Sequence, residues 1–211
     1  AQTTISPTWF SIAETEGNIS SLASQAYVAY AHQQGLEVWG LVDNFKEGVS
    51  TYETLSKTSS RQRLVNQLIA AAIQYGLDGI NVDFELITQD CARAYTASSD
   101  HYDRAEQGVF ADYVVIMGYD EHYAGSEEAG SVASIDYVQQ GIEKTLSEVP
   151  KEKVINAIPF YTRFWKTDAD GTVTSEALGM NDADQKVKNN NAEPVWDDTT
   201  KQYYVEIEYD G

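Results

Sequence analysis

The sequence predicts a parallel α/β fold, and three observations lead there. Stretches of helical periodicity close on a glycine that at once opens an apolar strand, and the Gly-Leu-acid junction recurs, at Gly35-Leu36-Glu37 and Gly76-Leu77-Asp78. The strands are nearly continuous apolar runs, such as Leu36 to Asp43 and Ala111 to Asp120, of the kind that a parallel sheet buries on both faces. Between them, Leu64, Val65, Leu68, Ile69, Ala72 and Ile73 draw an apolar stripe along a predicted helix.

Taken in order, Thr4 to Ile12 reads as a first strand, with Pro7 tolerable near its start or at an edge. Asn18 to Gln34 offers a helix, with Tyr27, Tyr30 and Ala31 at helical spacing and Gly35 as its stop. A strand from Leu36 to Asp43 follows, with Asp43 and Asn44 at its exit, where loop solvation and function explain them equally well. Ser59 or Ser60 is expected to cap the next helix, and Gly76 to close it. Beyond the strand at Gly76 to Glu85 comes another at Ala111 to Asp120. Ser134 then caps a helix reaching about Glu148 with Ile135, Val138, Ile142 and Leu146 on one side. Val154 to Tyr161 is the last core strand. From Lys166 the composition turns polar, and Pro194 to Tyr209 reads as a β-hairpin turning at Asp197 to Thr200.

With 211 residues, 42% of them hydrophobic, the chain can bury a substantial core. Its formal charge of -19 argues against nucleic acid and anionic membranes as partners, because both select for basic patches. A single cysteine, Cys91, excludes an internal disulfide. No apolar run approaches the ~18 residues of a membrane span, and the polar opening Ala1-Gln2-Thr3-Thr4 carries no expectation of a signal peptide. His32, His101 and His122 lack the spacing or companions of a metal site, so neither a metal nor a cofactor is expected.

The stretch with the most chemistry is Gly76-Leu77-Asp78-Gly79-Ile80-Asn81-Val82-Asp83-Phe84-Glu85. On a strand, Asn81, Asp83 and Glu85 point to one face and Ile80, Val82 and Phe84 to the other. Mutual repulsion and partial desolvation then raise the pKa of one of the two carboxylates, as a proton donor near neutral pH requires. Glu85, nearest the strand's C-terminal mouth, is the better candidate for the donor. A solvated face or an acid-lined cation site is the alternative that spacing leaves open.

The phrase Asp78-Gly79-x-Asn81-x-Asp83-x-Glu85 resembles the D-G-x-D-x-D-x-E signature of glycoside hydrolase family 18, the chitinase-like (β/α)8 enzymes, with Asn81 in place of the first clustered acid. Further stretches resemble the same family in the same order. Met117-Gly118-Tyr119-Asp120 is similar to the M-x-Y-D of the sixth barrel strand, and Ala157 to Trp165 to the G-x-P-x-Y-G-R-x-W of the seventh. Ser6-Pro7-Thr8-Trp9-Phe10 sits where the second strand would. Asp120-Glu121-His122-Tyr123 and Val149-Pro150-Lys151-Glu152-Lys153 are especially like the bacterial branch with spore-cortex and peptidoglycan-acting members.

The resemblance implies a retaining glycosidase in which the substrate's own acetamido oxygen is the nucleophile. Glu85 would protonate the glycosidic oxygen and later activate water. Asp83 would orient the acetamido N–H, and Tyr119 would donate its hydroxyl to the acetamido carbonyl oxygen. Asn81, Met117, Asp120, Tyr161, Arg163 and Trp165 would contact the substrate, a polysaccharide containing N-acetylglucosamine, chitin or peptidoglycan. Asn81 could still donate a hydrogen bond to Asp83 but could not share its proton. Trp9 and Trp39 are expected in the core. A secreted or cell-wall location follows from the same resemblance, and a catalytically inactive carbohydrate-binding module of the same fold is the alternative.

The expected architecture is a TIM-type barrel, incomplete in this chain. Residues 1–165 would form the barrel domain, and 166–211 a small inserted α+β subdomain with the hairpin. Only the family's second, third, fourth, sixth and seventh strands are matched. The interval between Glu85 and Ala111 is too short for the fifth strand with its two helices, since one strand-crossover-strand unit takes about 30 residues. Cys91 to Tyr102 is the place where a family segment is expected to be missing.

Overall fold

A computed structural model of the chain describes residues 3–86 and 104–207. It falls into two compact units, Ala1–Asp103 and Arg104–Gly211. The expected missing segment at Cys91 to Tyr102 lies outside the described residues.

The first unit is built on one sheet. Strands β1 (Thr4–Ile5) and β2 (Thr8–Ile12) both run parallel to β4 (Glu37–Asp43), β3 (Ile19–Ser21) pairs antiparallel with β2, and β5 (Gly79–Asp83) lies parallel against the other edge of β4. The single first strand expected over Thr4 to Ile12 is therefore two. Pro7 has no N–H to give the ladder, and its carbonyl accepts from Leu41 N at 3.0 Å while the register shifts between Thr8 and Phe10.

The helix expected from Asn18 begins only at α1 (Gln25–Gln33), where Ser24 caps Tyr27 N at 3.3 Å. Ile19 to Ser21 instead satisfy the free edge of β2, a use for which a β-branched residue and two serines suit better than helix. Gly35, with φ 74, ends the turn after α1 as expected. Val28 and Ala31 face inward with Val38, whereas Tyr27 and Tyr30 are exposed. Trp9 and Trp39 are half-buried, and Trp39 packs so closely on Gly79 that a Cβ there would lie 2.9 Å from the indole.

Helix α3 (Thr58–Tyr75) follows directly on α2 (Thr51–Ser56), so Lys57 stands at its N-cap and neither Ser59 nor Ser60 caps it. Ser50 caps α2 instead, accepting from Glu53 N at 3.2 Å. The inward stripe of α3 is Ser60, Leu64, Leu68 and Ala71, while Val65, Ile69 and Ile73 are exposed. Gly76 closes the helix in the left-handed conformation at φ 70, where a Cβ would be strained. Phe10, Ile12, Val42, Leu55, Leu64, Leu68 and Phe84 form the core beneath the sheet. Each such side chain contributes about 1.5–3 kcal/mol by leaving water.

The second unit contains α4 (Arg104–Phe110), β6 (Val114–Met117), α5 (Ile135–Leu146), a 3-10 turn at Lys151–Lys153, β7 (Val154–Ala157), β8 (Tyr161–Thr167), β9 (Val173–Gly179), α6 (Met180–Asn189), β10 (Val195–Asp197) and β11 (Gln202–Tyr204). Strands β6 and β7 pair in parallel, and Lys153 Nζ ties the end of α4 to the start of β7 through Gly108 O and Ala111 O, both at 2.9 Å. Ser134 caps α5 as expected, accepting from Tyr137 N, and Glu121 in turn accepts from both Ser134 N and its hydroxyl.

The expected strand from Val154 to Tyr161 stops at Ala157. Pro159 cannot continue the ladder, and Tyr161 opens an antiparallel pair with β9 that runs across residue 166. Val195–Asp197 and Gln202–Tyr204 form the expected hairpin. Among the described residues the sheets are open and do not close into a barrel, and no helix is long and apolar enough to cross a membrane.

Candidate functional site

In the first unit, the acids are set by strand register. Along β4 and β5, Leu41 stands opposite Asn81, Val42 opposite Val82 and Asp43 opposite Asp83. On the other edge of β4, Ser11 of β2 stands opposite Asp43. Residues opposite one another share a face, so Ser11, Asp43 and Asp83 form a row across three strands. Ser11 Oγ donates to Asp43 Oδ1 at 2.6 Å, Phe45 N donates to the same oxygen at 3.2 Å, and Asp43 is only 5% exposed.

Asp83 is hydrogen-bonded to the side chain of Glu85, which follows the end of β5 and is exposed to solvent. Burial first, and then the charge of Asp43, hold the Asp83 carboxyl above its usual range, with the Glu85 hydrogen bond opposing them. The carboxyl held above its usual range is thus Asp83. Of the opposite face, Phe84 is in the core and Ile80 packs against it, but Val82 is exposed.

The backbone around Glu85 is clamped by Asn44, a residue whose place in the sequence marks it only as a strand exit. Asn44 is 3% exposed, and its Oδ1 accepts from Glu85 N at 3.1 Å and Leu86 N at 3.3 Å. Its Nδ2 donates to Thr51 Oγ1 at 2.8 Å, at the first turn of α2, and to Leu86 O at 3.0 Å. Asn81 directs Nδ2 to Ser6 Oγ at 3.1 Å, which gives the amide an anchor other than Asp83. Asp78, at the head of the motif, serves the frame, since its Oδ2 takes Val38 N and His32 Nε2, each at 2.8 Å.

In the second unit, Met117 ends β6 exposed, Tyr119 is half-buried, and Asp120 adopts φ 61, a left-handed conformation that aspartate tolerates better than most residues. The Tyr161 hydroxyl donates to Asp120 Oδ1, and the rings of Tyr119 and Tyr161 meet edge-on with centroids 6.3 Å apart. Burial, then the hydrogen bond and charge of Asp120, push the Tyr161 phenol up to about 12 against the opposing charge of Arg163. Tyr137 Oη donates to Tyr119 O at 3.4 Å.

Tyr161, Arg163 and Trp165 alternate along β8 and so share a face. Arg163 Nη1 donates to Ser175 Oγ at 3.0 Å while its buried Nε has no partner among the described residues, and Trp165 Nε1 donates to Gly130 O at 3.0 Å. Gly118 is needed for close approach, since a Cβ there would lie 2.4 Å from Asn156 Oδ1. Among the described residues no group of three or more His, Cys, Asp or Glu side chains could hold a metal. Glu85, Asp83 and Asn81 therefore lie together in one unit, and Met117, Tyr119, Asp120, Tyr161, Arg163 and Trp165 in the other.

Residues 86–210 match the family model for glycosyl hydrolases family 18. The glycosylase YvbX of Bacillus subtilis is 26% identical over 220 residues, which takes in 87% of this chain and 63% of YvbX, so the chain spans less than two thirds of that relative. The crystal structure of the sporulation-specific glycosylase YdhD from Bacillus subtilis superposes with a TM-score of 0.84 at 23% identity, covering 98% of this chain and 80% of YdhD. A family 18 chitinase from Cycas revoluta, solved in complex with (GlcNAc)4, superposes with a TM-score of 0.82 at 17% identity, covering 97% of this chain and 78% of the chitinase. At these identities the two structures show a shared fold.

Proposed function

The chain belongs to family 18 of the glycosyl hydrolases, and from that premise we propose that it is a glycosidase cleaving β-1,4-linked N-acetylglucosamine polymers, peptidoglycan or chitin, by a retaining, substrate-assisted mechanism. The observation that carries the reading is the hydrogen bond between Asp83 and Glu85. A carboxyl at the mouth of a strand beside a second acid, its backbone held in place by Asn44, is what protonation of a leaving group requires.

In this reading Glu85 gives its proton to the glycosidic oxygen as the bond from that oxygen to the anomeric carbon breaks. The acetamido carbonyl oxygen of the same sugar bonds to the anomeric carbon from the opposite side. Asp83 accepts from the acetamido N–H and offsets the positive charge that develops on the ring so formed. Water, losing its proton to Glu85, then opens that ring with net retention of configuration. Tyr119 donates its hydroxyl to the acetamido carbonyl oxygen. Asp120 and Met117 shape the floor of the sugar site, with Tyr161 holding Asp120, and Asn81, Arg163 and Trp165 contact the polymer.

The finer architecture belongs to the same proposal. Residues 1–165 are part of a (β/α)8 barrel, 166–211 an insertion in it, and the enzyme works outside the cell or at the cell wall. The sporulation-specific name of YdhD supports peptidoglycan, and the (GlcNAc)4 bound to the Cycas chitinase supports chitin. The test is digestion of purified peptidoglycan and of chitin oligomers, with mass analysis of the new reducing ends, alongside turnover of a chromogenic chitobioside. Release of N-acetylglucosamine reducing ends is expected. Binding of these polymers with no turnover would overturn the enzymatic reading.

A further inference from the structure

At the C-terminal edge of the first unit's sheet Asp43 of β4 stands beside Asp83 of β5, and the motif that holds Asp83 and Glu85 does not account for it. Asp43 is in register with Asp83 on the adjacent parallel strand, about 4.7–4.9 Å away at the backbone. It is 5% exposed, and its Oδ1 is fixed by Ser11 Oγ and Phe45 N. Solvation of a loop is therefore no account of it: an acid so buried needs a role or a partner. Asn81, the uncharged member of the motif, is tied to Ser6.

We propose that Asp43 is a positioning residue for the acidic pair: buried and facing Asp83 across the sheet, its carboxylate disfavours a second negative charge on Asp83 and so favours a proton on the pair. Ionisation of Asp83 sets its charge against that of Asp43, which stands directly opposite on the adjacent strand. Among the described residues the ionisable groups acting on Asp83 are Asp43, from β4, and Glu85, just beyond β5, while β2 contributes the uncharged Ser11. Asp43 raises the proton affinity of Asp83, and Glu85 opposes it. The inference deepens the glycosidase reading and rests on it for the use of the proton, though not for the proton's presence.

Asp43→Asn is a nearly isosteric test, because the amide oxygen still accepts from Ser11 and Phe45 while the charge is gone. The carboxyl carbon of Asp83, followed by 13C NMR, is expected to titrate about one pH unit lower in Asp43→Asn than in the parent chain. This readout needs no substrate. Asp43→Glu, which keeps the charge, is expected to leave the Asp83 midpoint close to that of the parent chain, and this holds the proposal to account even where Asp43→Asn does not fold. In kcat/KM on chitin oligomers the alkaline limb moves to lower pH by a similar amount, and Asn81→Asp in the Asp43→Asn background moves it back.

An Asp83 midpoint that stays in place in the folded Asp43→Asn protein, or that falls as far in Asp43→Glu, overturns the assignment. Absence of turnover by the parent chain overturns the glycosidase reading, and the Asp83 titration decides on Asp43 regardless.

Discussion

Replacing Asn44 with alanine removes four hydrogen bonds, three to the segment carrying Glu85 and one to Thr51. At about 1 kcal/mol net for each, the sum is near 4 kcal/mol, and water reaching the exposed Glu85 and Leu86 reduces the loss to about 2–3 kcal/mol. For a chain of this size that corresponds to a fall in Tm of about 5–10 °C, readable by thermal or denaturant unfolding. Activity falls further than stability implies, because Glu85 N is one of the groups released, and a displacement of about 1 Å at the proton donor costs about 100-fold in kcat. Thr51→Val separates the two effects. It removes one of the two acceptors of the amide nitrogen and leaves all three backbone bonds to Glu85 and Leu86, so stability drops by about 1–2 kcal/mol with kcat little changed. An Asn44→Ala protein with parental stability and kcat would refute the clamp.

Two further perturbations test how the frame is held. Gly118→Ala places a Cβ 2.4 Å from Asn156 Oδ1 and 3.1 Å from Ala157 O, so β6 and β7 must part, at a cost of about 1–3 kcal/mol in denaturant unfolding; an unchanged midpoint would show that the strands yield freely. Burial alone would raise the Asp78 carboxyl, but Val38 N–H and His32 outweigh it and hold the group below its usual value. A carboxyl depressed in the folded chain stabilises above its unfolded pKa of about 3.9 and loses that contribution as pH falls through the folded value. The stability gap between the parent and Asp78→Asn is therefore expected to narrow on acidification below about pH 4, and a gap independent of pH would contradict the assignment.

The parallel α/β character was legible because helix, glycine and apolar strand repeat in order, and Gly76 and Ser134 stop and start their helices where local chemistry requires. Glu85 and Asp83 could be read as a pair because period-two spacing is a local property of one strand. The hidden features were non-local. Ile19 to Ser21 pair with β2 only because its edge is free, so helical spacing around Tyr27 misplaced the start of α1. Asp43 owes its neighbour to the register of β4 against β5, which neither strand encodes alone. Asn44 meets Glu85 across 41 positions of sequence, and the visible signal was only an amide at a strand exit. Pro7 and Pro159 did mark where ladders break, although at single residues such breaks are easily read through.

At the centre stands the claim that Glu85 protonates a glycosidic oxygen while the substrate's acetamido group attacks from behind. The most direct test follows the anomeric proton signals of freshly cleaved chitin oligomers by NMR, before mutarotation, with the parent chain and with Glu85→Gln. The β-anomer is expected first from the parent chain, and from a folded Glu85→Gln protein a rate lower by about 1000-fold. The α-anomer first, or undiminished cleavage by Glu85→Gln, would contradict it.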